Sequence, residues 1–281
     1  FGEGVLRFGA GLVLQADPAD GLAVARHEQQ AETLDLLHVN GQVRHVHAAL
    51  LDPSGPADED AVLAHGRLDA LAAGLGGIAL TDHNSARNMP AMIACCREAG
   101  LACLCGMEIC VAEEFHVLAF FDGLEAAMTL TNKVYAALPG RKNLPDVFGD
   151  QPVVNAVDEI EEMEWRLLSA PTRLTLGEVK TAVHAQGGLL VASHIDRPGF
   201  GVLDRLGTLS GLEGFDALEI SRHTMPERWR SCAGDKPFLR ASDAHYLADI
   251  GSAWSEADLP DFTIASLRHA FQRREIRLGM Q

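Results

Sequence analysis

Short apolar runs recur along the chain, each bounded by turn-forming or polar residues. The runs at residues 43–47, 78–80, 104–107, 115–121, 189–193, 217–221 and 238–242 have the length and continuity of buried strands. Longer segments of helical pattern alternate with them. Residues 57–75 predict a helix with Asp58, Glu59 and Asp60 in its first turn, where the helix dipole favours acids. Residues 86–100 predict a second helix, closed by Gly100. This β-α-β alternation predicts a parallel α/β fold with right-handed crossovers. The rhythm breaks over residues 122–175. A helix at 124–138 is followed there by Pro139, Gly140, Pro145, Gly149 and Pro152, then by the acids Asp158, Glu159, Glu161 and Glu162, as in an insertion folded over a core. Beyond it, Thr175 and Glu178 form a capping-box pattern at the start of a further helix. A last helix, 264–274, is expected on the outside. Residues 1–42 read as an N-terminal segment with one strand-like stretch at 9–14, and residues 43–281 as one domain.

The chemistry sits at the ends of the runs. The first carries His45 and His47. Others lead into Thr81-Asp82-His83-Asn84, into Glu108, into His194, and into Asp243-Ala244-His245. The run at 115–121 instead begins with a histidine, His116, and the run at 217–221 continues into Arg222-His223. Alternate residues of a strand share a face, so His45 lies beside His47, and Asp243 beside His245. In a barrel of parallel strands the C-terminal ends converge, and residues far apart in sequence meet there. A cluster of imidazoles and carboxylates suits Zn, Mn or Fe. Taken singly the residues have plainer readings: His83 as a helix N-terminal residue, Glu108 as a loop acid, Asp82 as a hydrogen-bonding partner. Their recurrence at strand ends is what points to metal. His27, His38, His65, His184 and His269 fall outside that pattern.

Charge and cysteine content narrow the class. A formal charge of −16 over 281 residues argues against a protein that coats a nucleic-acid polymer or lies on a membrane, and leaves a small anionic substrate open. No stretch approaches the roughly 18 apolar residues of a membrane span, and residues 1–14 lack the charged start of a secretory signal. The six cysteines follow neither a zinc-finger nor a disulfide framework, which predicts free thiols and a cytoplasmic protein.

The ordered series His45-x-His47, Thr81-Asp82-His83-Asn84, Gly106-Met107-Glu108, His116, Ser193-His194 and Asp243-Ala244-His245 resembles the PHP (polymerase and histidinol phosphatase) family of metal-dependent phosphoesterases. The resemblance implies a distorted seven-stranded barrel holding two or three divalent ions. It assigns His45, His47, Glu108 and Asp243 to one ion, with Glu108 bridging to a second held by His116 and His194. A third would lie on His83 and His245, with Asp52 from the loop after His47. The chain departs from the family at Arg44, where an Asp is usual, and at Ala48, where Ser or Thr is usual. By the same resemblance Glu108, Asp243 and His194 form the catalytic centre. Arg197 and Arg222 are the candidate phosphate-binding residues, ahead of Arg87 and the Arg141-Lys142 pair, because guanidinium pairs with phosphate in bidentate geometry. The expected substrate is a small phosphate ester, a phosphomonoester or short nucleotide, attacked by a metal-activated hydroxide. Two alternatives stand beside it. One is an amidohydrolase-like C–N hydrolase, which would often carry a lysine at a strand end, and none is seen. The other is a binding module with a degenerate metal site.

Overall fold

A computed structural model describes residues 5–12, 37–39, 42–44, 70–207 and 213–281. The strands are β1 (Val5–Leu12), β2 (Leu37–Val39), β3 (Gln42–Arg44), β4 (Gly77–Leu80), β5 (Ala102–Cys110), β6 (His116–Phe121), β7 (Pro152–Val154), β8 (Ile160–Met163), β9 (Leu189–Ala192), β10 (Ala217–Glu219), β11 (Phe238–Leu239), β12 (Ala253–Asp258) and β13 (Arg277–Met280). The helices are α1 (Met89–Ala99), α2 (Leu124–Ala137), α3 (Pro145–Phe148), α4 (Leu176–Ala185), α5 (Val202–Leu206), α6 (Arg230–Ala233) and α7 (Ile264–Arg273). Nine strands form one sheet in the order β11-β10-β9-β6-β5-β4-β1-β12-β13.

Of the expected distorted seven-stranded barrel the mixed α/β fold is present, with two differences. Among the described residues the sheet is a curled half-barrel whose edges are β11 and β13. It is also mixed. β1, β4 and β5 are parallel, as are β9, β10 and β11, but β6 runs antiparallel to both β5 and β9. The reason is local: the link from Cys110 to His116 is too short for a crossover, so the chain must double back. Of the expected first strand, 43–47, only residues 43 and 44 are described, and they belong to β3. β3 pairs antiparallel with β2 in a separate two-stranded ribbon, and β1 stands beside β4. His45, His47 and Asp52 lie outside the described residues.

Pleat alternation divides the sheet into two faces. On one, Leu80, Met107, Ile109, Val117, Phe121, Leu190 and Leu218 pack against α1, α2 and α4. On the other, Ala79, Leu104, Leu118, Phe120, Leu189, Val191 and Ala217 pack against Ile264, Leu267, Ala270 and Phe271 of α7. The final helix therefore covers the face opposite the other helices, because its own apolar stripe is needed to bury that surface. Local sequence accounts for the helix ends. Thr175 and Glu178 make the predicted capping box. Gly100 ends α1 at φ 68°.

Residues 139–175 tie back to the strand ends. The side chain of Asn84 donates to the carbonyls of Leu168 (2.6 Å) and Ala170 (3.0 Å) and accepts from the Cys110 amide (3.2 Å). Asn88 donates to Asp82 (2.9 Å) and to the Pro152 carbonyl (3.2 Å), and accepts from the Val154 amide (2.9 Å). The polar residues around His83 thus serve as clamps, and Asp82 is a hydrogen-bonding partner. All six cysteines are free thiols. No described helix is long and apolar enough to cross a membrane.

Candidate metal centre

The face that carries Leu104, Leu118, Leu189 and Ala217 continues, two residues at a time, into Glu108, His116, Ser193 and Glu219. On β4 the same step from Ala79 passes Thr81 to His83. The antiparallel turn of β6 explains why its histidine comes first: His116 pairs with Cys110, so the start of β6 lies at the end where β5 finishes. Gly106 is required for the approach of β4 to β5. A Cβ there would stand 2.5 Å from the Leu80 carbonyl oxygen.

Glu108 is the hub. Its Oε2 lies 3.1 Å from His83 Nδ1, and its Oε1 lies 3.3 Å from both His116 Nδ1 and His194 Nε2. All four residues are buried. The potential ligand atoms of His83, Glu108 and His116 all fall within 4.8 Å of one another. The rings of His83 and His194 each stand edge-on to His116 at 5.3 Å. His116 also stacks on Phe200 at 4.7 Å. Among the described residues, His116 Nδ1, both ring nitrogens of His194 and His245 Nε2 are buried and make no hydrogen bond. Buried polar nitrogens are costly in that state. Nitrogens close to a carboxylate but out of hydrogen-bond alignment are what a shared cation would satisfy, so the donor set fits divalent metal.

The electrostatics agree. Burial pushes the Glu108 carboxyl up, but the imidazoles of His116, His194 and His83 hold it well below the usual carboxylate range. Burial opposes charge on His194, yet Glu108, Asp243 and Glu219 raise it to about 9. Glu219 is pushed up to about 7 by burial, with His194 opposing and Asp243 adding to the rise. Ser193 Oγ lies 2.9 Å from Glu108 Oε1 and 3.0 Å from Glu219 Oε2.

Three strand-end residues hold left-handed backbone: Asn84 (φ 51°), His194 (φ 22°) and Asp243 (φ 49°). Such conformations cost energy in residues other than glycine and gather at functional sites. His245 Nδ1 lies 3.0 Å from the carbonyl oxygen of Asp243. Of the candidate phosphate-binding arginines, Arg197 lies 3.2 Å from Asp243 Oδ2. Arg222 pairs with Asp249 (2.8 Å) and Ser252 (2.9 Å). Arg87 is bound to Glu162 of β8 and to Glu164. Sequence reasoning missed Ser193 and Glu219. The available signal was an acid closing an otherwise apolar strand.

A family model described as PHP-associated matches residues 234–276, which span Asp243 and His245. In overall fold the chain is similar to the lesion-specific endonuclease PfuEndoQ from Pyrococcus furiosus, at 12% identity and a TM-score of 0.55, over 98% of this chain and 57% of that one. The family match is confined to residues 234–276, and the structural likeness is one of fold. The fold is also similar to Endonuclease Q in complex with a 27-mer duplex bearing an abasic lesion at the active site, at 14% identity and a TM-score of 0.53, over 77% of this chain and 53% of that one. A third, weaker superposition, at 19% identity and a TM-score of 0.47, is with a proposed metal-dependent phosphoesterase from Bifidobacterium adolescentis, over 66% of this chain and 84% of that one. The chain spans a little over half the length of the two endonuclease structures. No curated protein matches it in sequence.

The endonuclease likenesses overturn the expectation that a nucleic-acid polymer is excluded as a partner. Net charge does not decide the point, because it averages the whole surface. A phosphodiester is met by local groups, and cations held at carboxylates reverse the local sign.

Proposed function

We propose that the chain is a metal-dependent phosphoesterase. The observation that carries this reading is a buried carboxylate, Glu108, with three buried imidazoles 3.1–3.3 Å from its oxygens. His83, Glu108, His116 and His194 would hold divalent ions together with Asp243, His245 and, from outside the described residues, His45, His47 and Asp52. Bound there, Zn, Mn or Fe would supply hydroxide at neutral pH and positive charge for the phosphate oxygens. Glu108, with imidazoles beside both of its oxygens, would be the carboxylate common to these ligands. Phe200, stacked on His116, would keep that ring in place and limit water on one side. Arg197, half-buried beside Asp243 of the proposed ligand set, would meet a phosphate oxygen, whereas Arg222 is held by Asp249 and Ser252. No lysine closes β4, β5, β9, β10 or β11, which favours a phosphoester over a C–N bond.

The substrate class is a phosphate ester, nucleic-acid phosphodiesters included. Protein loaded with Mn or Zn, offered phosphomonoesters, short nucleotides and a duplex with an abasic site, should hydrolyse at least one, and a chelator should stop it. No hydrolysis across that panel, with metal confirmed on the protein, contradicts the reading.

A further inference from the structure

Glu219 closes β10 with its side chain buried, beside a site to which no motif assigned it. A buried carboxylate needs partners, and those of Glu219 belong to one corner of the chain. Its Oε2 accepts from Ser193 Oγ (3.0 Å) and from the His194 amide (3.0 Å), and its backbone carbonyl accepts from the Ile195 amide (2.9 Å). Three consecutive residues are thus pinned by one. The middle one, His194, has φ 22°, a conformation that persists only when its surroundings over-determine it. Ser193 then passes the constraint on: its hydroxyl lies 2.9 Å from Glu108 Oε1, the same oxygen that faces His116 and His194. The parallel register of β9 and β10, with Val191 opposite Ala217 and Ala192 opposite Leu218, sets Glu219 level with Ser193.

We propose that Glu219 is a positioning residue of the metal centre, fixing the His194 imidazole through the backbone corner and the Glu108 carboxylate through Ser193. The inference rests on the metal-centre reading above and extends it to residues that touch no ion. Groups that orient metal ligands contribute about 10- to 100-fold in metal affinity.

The test uses cobalt(II), whose visible absorption reports ligand geometry. Glu219→Leu should weaken the tightest cobalt site by about 10- to 100-fold and change its visible spectrum. Glu219→Gln, which keeps an acceptor oxygen for the His194 amide, should recover most of both. Ser193→Ala removes one hydroxyl with little risk to the fold and should shift the spectrum in the same direction by a smaller amount. Glu219→Leu with the wild-type cobalt affinity and spectrum, whatever its melting temperature, overturns the proposal. Should that variant fail to fold, an unchanged Ser193→Ala overturns it. Cobalt binding needs no substrate. A wild-type protein that binds cobalt as expected but cleaves no phosphate ester would refute the phosphoesterase reading and leave the role of Glu219 standing.

Discussion

Glu108 Oε1 and His194 Nε2 stand 3.3 Å apart although β6 runs between their strands in the sheet. The pair meets because β5 and β9 are each antiparallel to β6, so Glu108 near the end of β5 and His194 just past the end of β9 lie at the same end of the sheet.

Loss of the Glu108 charge should be more damaging than loss of any one histidine. A bridging carboxylate separates two cations whose repulsion is large at short range in a site of low effective dielectric. Glu108→Gln should lower metal stoichiometry by more than one ion per chain, and His116→Ala by at most one. Elemental analysis of both variants after identical dialysis checks this, and equal losses would remove the bridging role.

Proton linkage gives a second expectation. His194 is raised to about 9 and Glu219 to about 7. Each stabilises the metal-free fold fully below its unfolded value, roughly 6.5 for His and 4.3 for Glu. The contribution of Glu219 is lost as pH rises through about 7, and that of His194 as pH rises through about 9. The metal-free protein should therefore melt at a lower temperature at pH 9.5 than at pH 6. Metal must displace the His194 proton, so zinc binding at pH 7.5 should release protons and tighten as pH rises. A pH-independent zinc affinity between pH 6 and 8.5 would count against His194 as a ligand.

The clustering of Glu108, His116 and His194 was legible in the chain, because each stands at the end of an apolar run. The direction of β6 was not, since a six-residue apolar run looks the same in either direction. Glu219 stayed hidden because an acid inside such a run acquires meaning only when Ser193 is placed beside it. The partners of the arginines were not legible either. A guanidinium suited to phosphate also suits carboxylates, and Arg87, Arg197 and Arg222 each lie beside an acid of this chain. The half-barrel was illegible as well, because closure depends on edge pairing that no local pattern encodes.

Asn84 should prove structural. Its side chain satisfies two carbonyls and one amide in the buried joint between β5 and the insertion. Each group left unsatisfied costs about 1–3 kcal/mol. Asn84→Ala should destabilise the protein by roughly 2–4 kcal/mol in urea denaturation and speed amide exchange at Leu168 and Ala170. Exchange unchanged there would mean that the joint is held elsewhere.

Gly106 should tolerate no side chain. An alanine Cβ would press on the Leu80 carbonyl, which is backbone and gives way only by separating β4 from β5. Gly106→Ala should cost about 1–3 kcal/mol by thermal unfolding and weaken zinc binding as Glu108 moves from His83. A loss of stability with zinc affinity intact would separate the strand contact from the site.

The most direct measurement of the central claim is anomalous diffraction from zinc-soaked crystals with inorganic phosphate present. The account predicts zinc peaks at about 2.0–2.2 Å from Glu108 oxygens, shared with nitrogens of His83, His116 or His194, and phosphate oxygens on the same ions. Zinc bound elsewhere, with Glu108 and its three histidines bare, would contradict it.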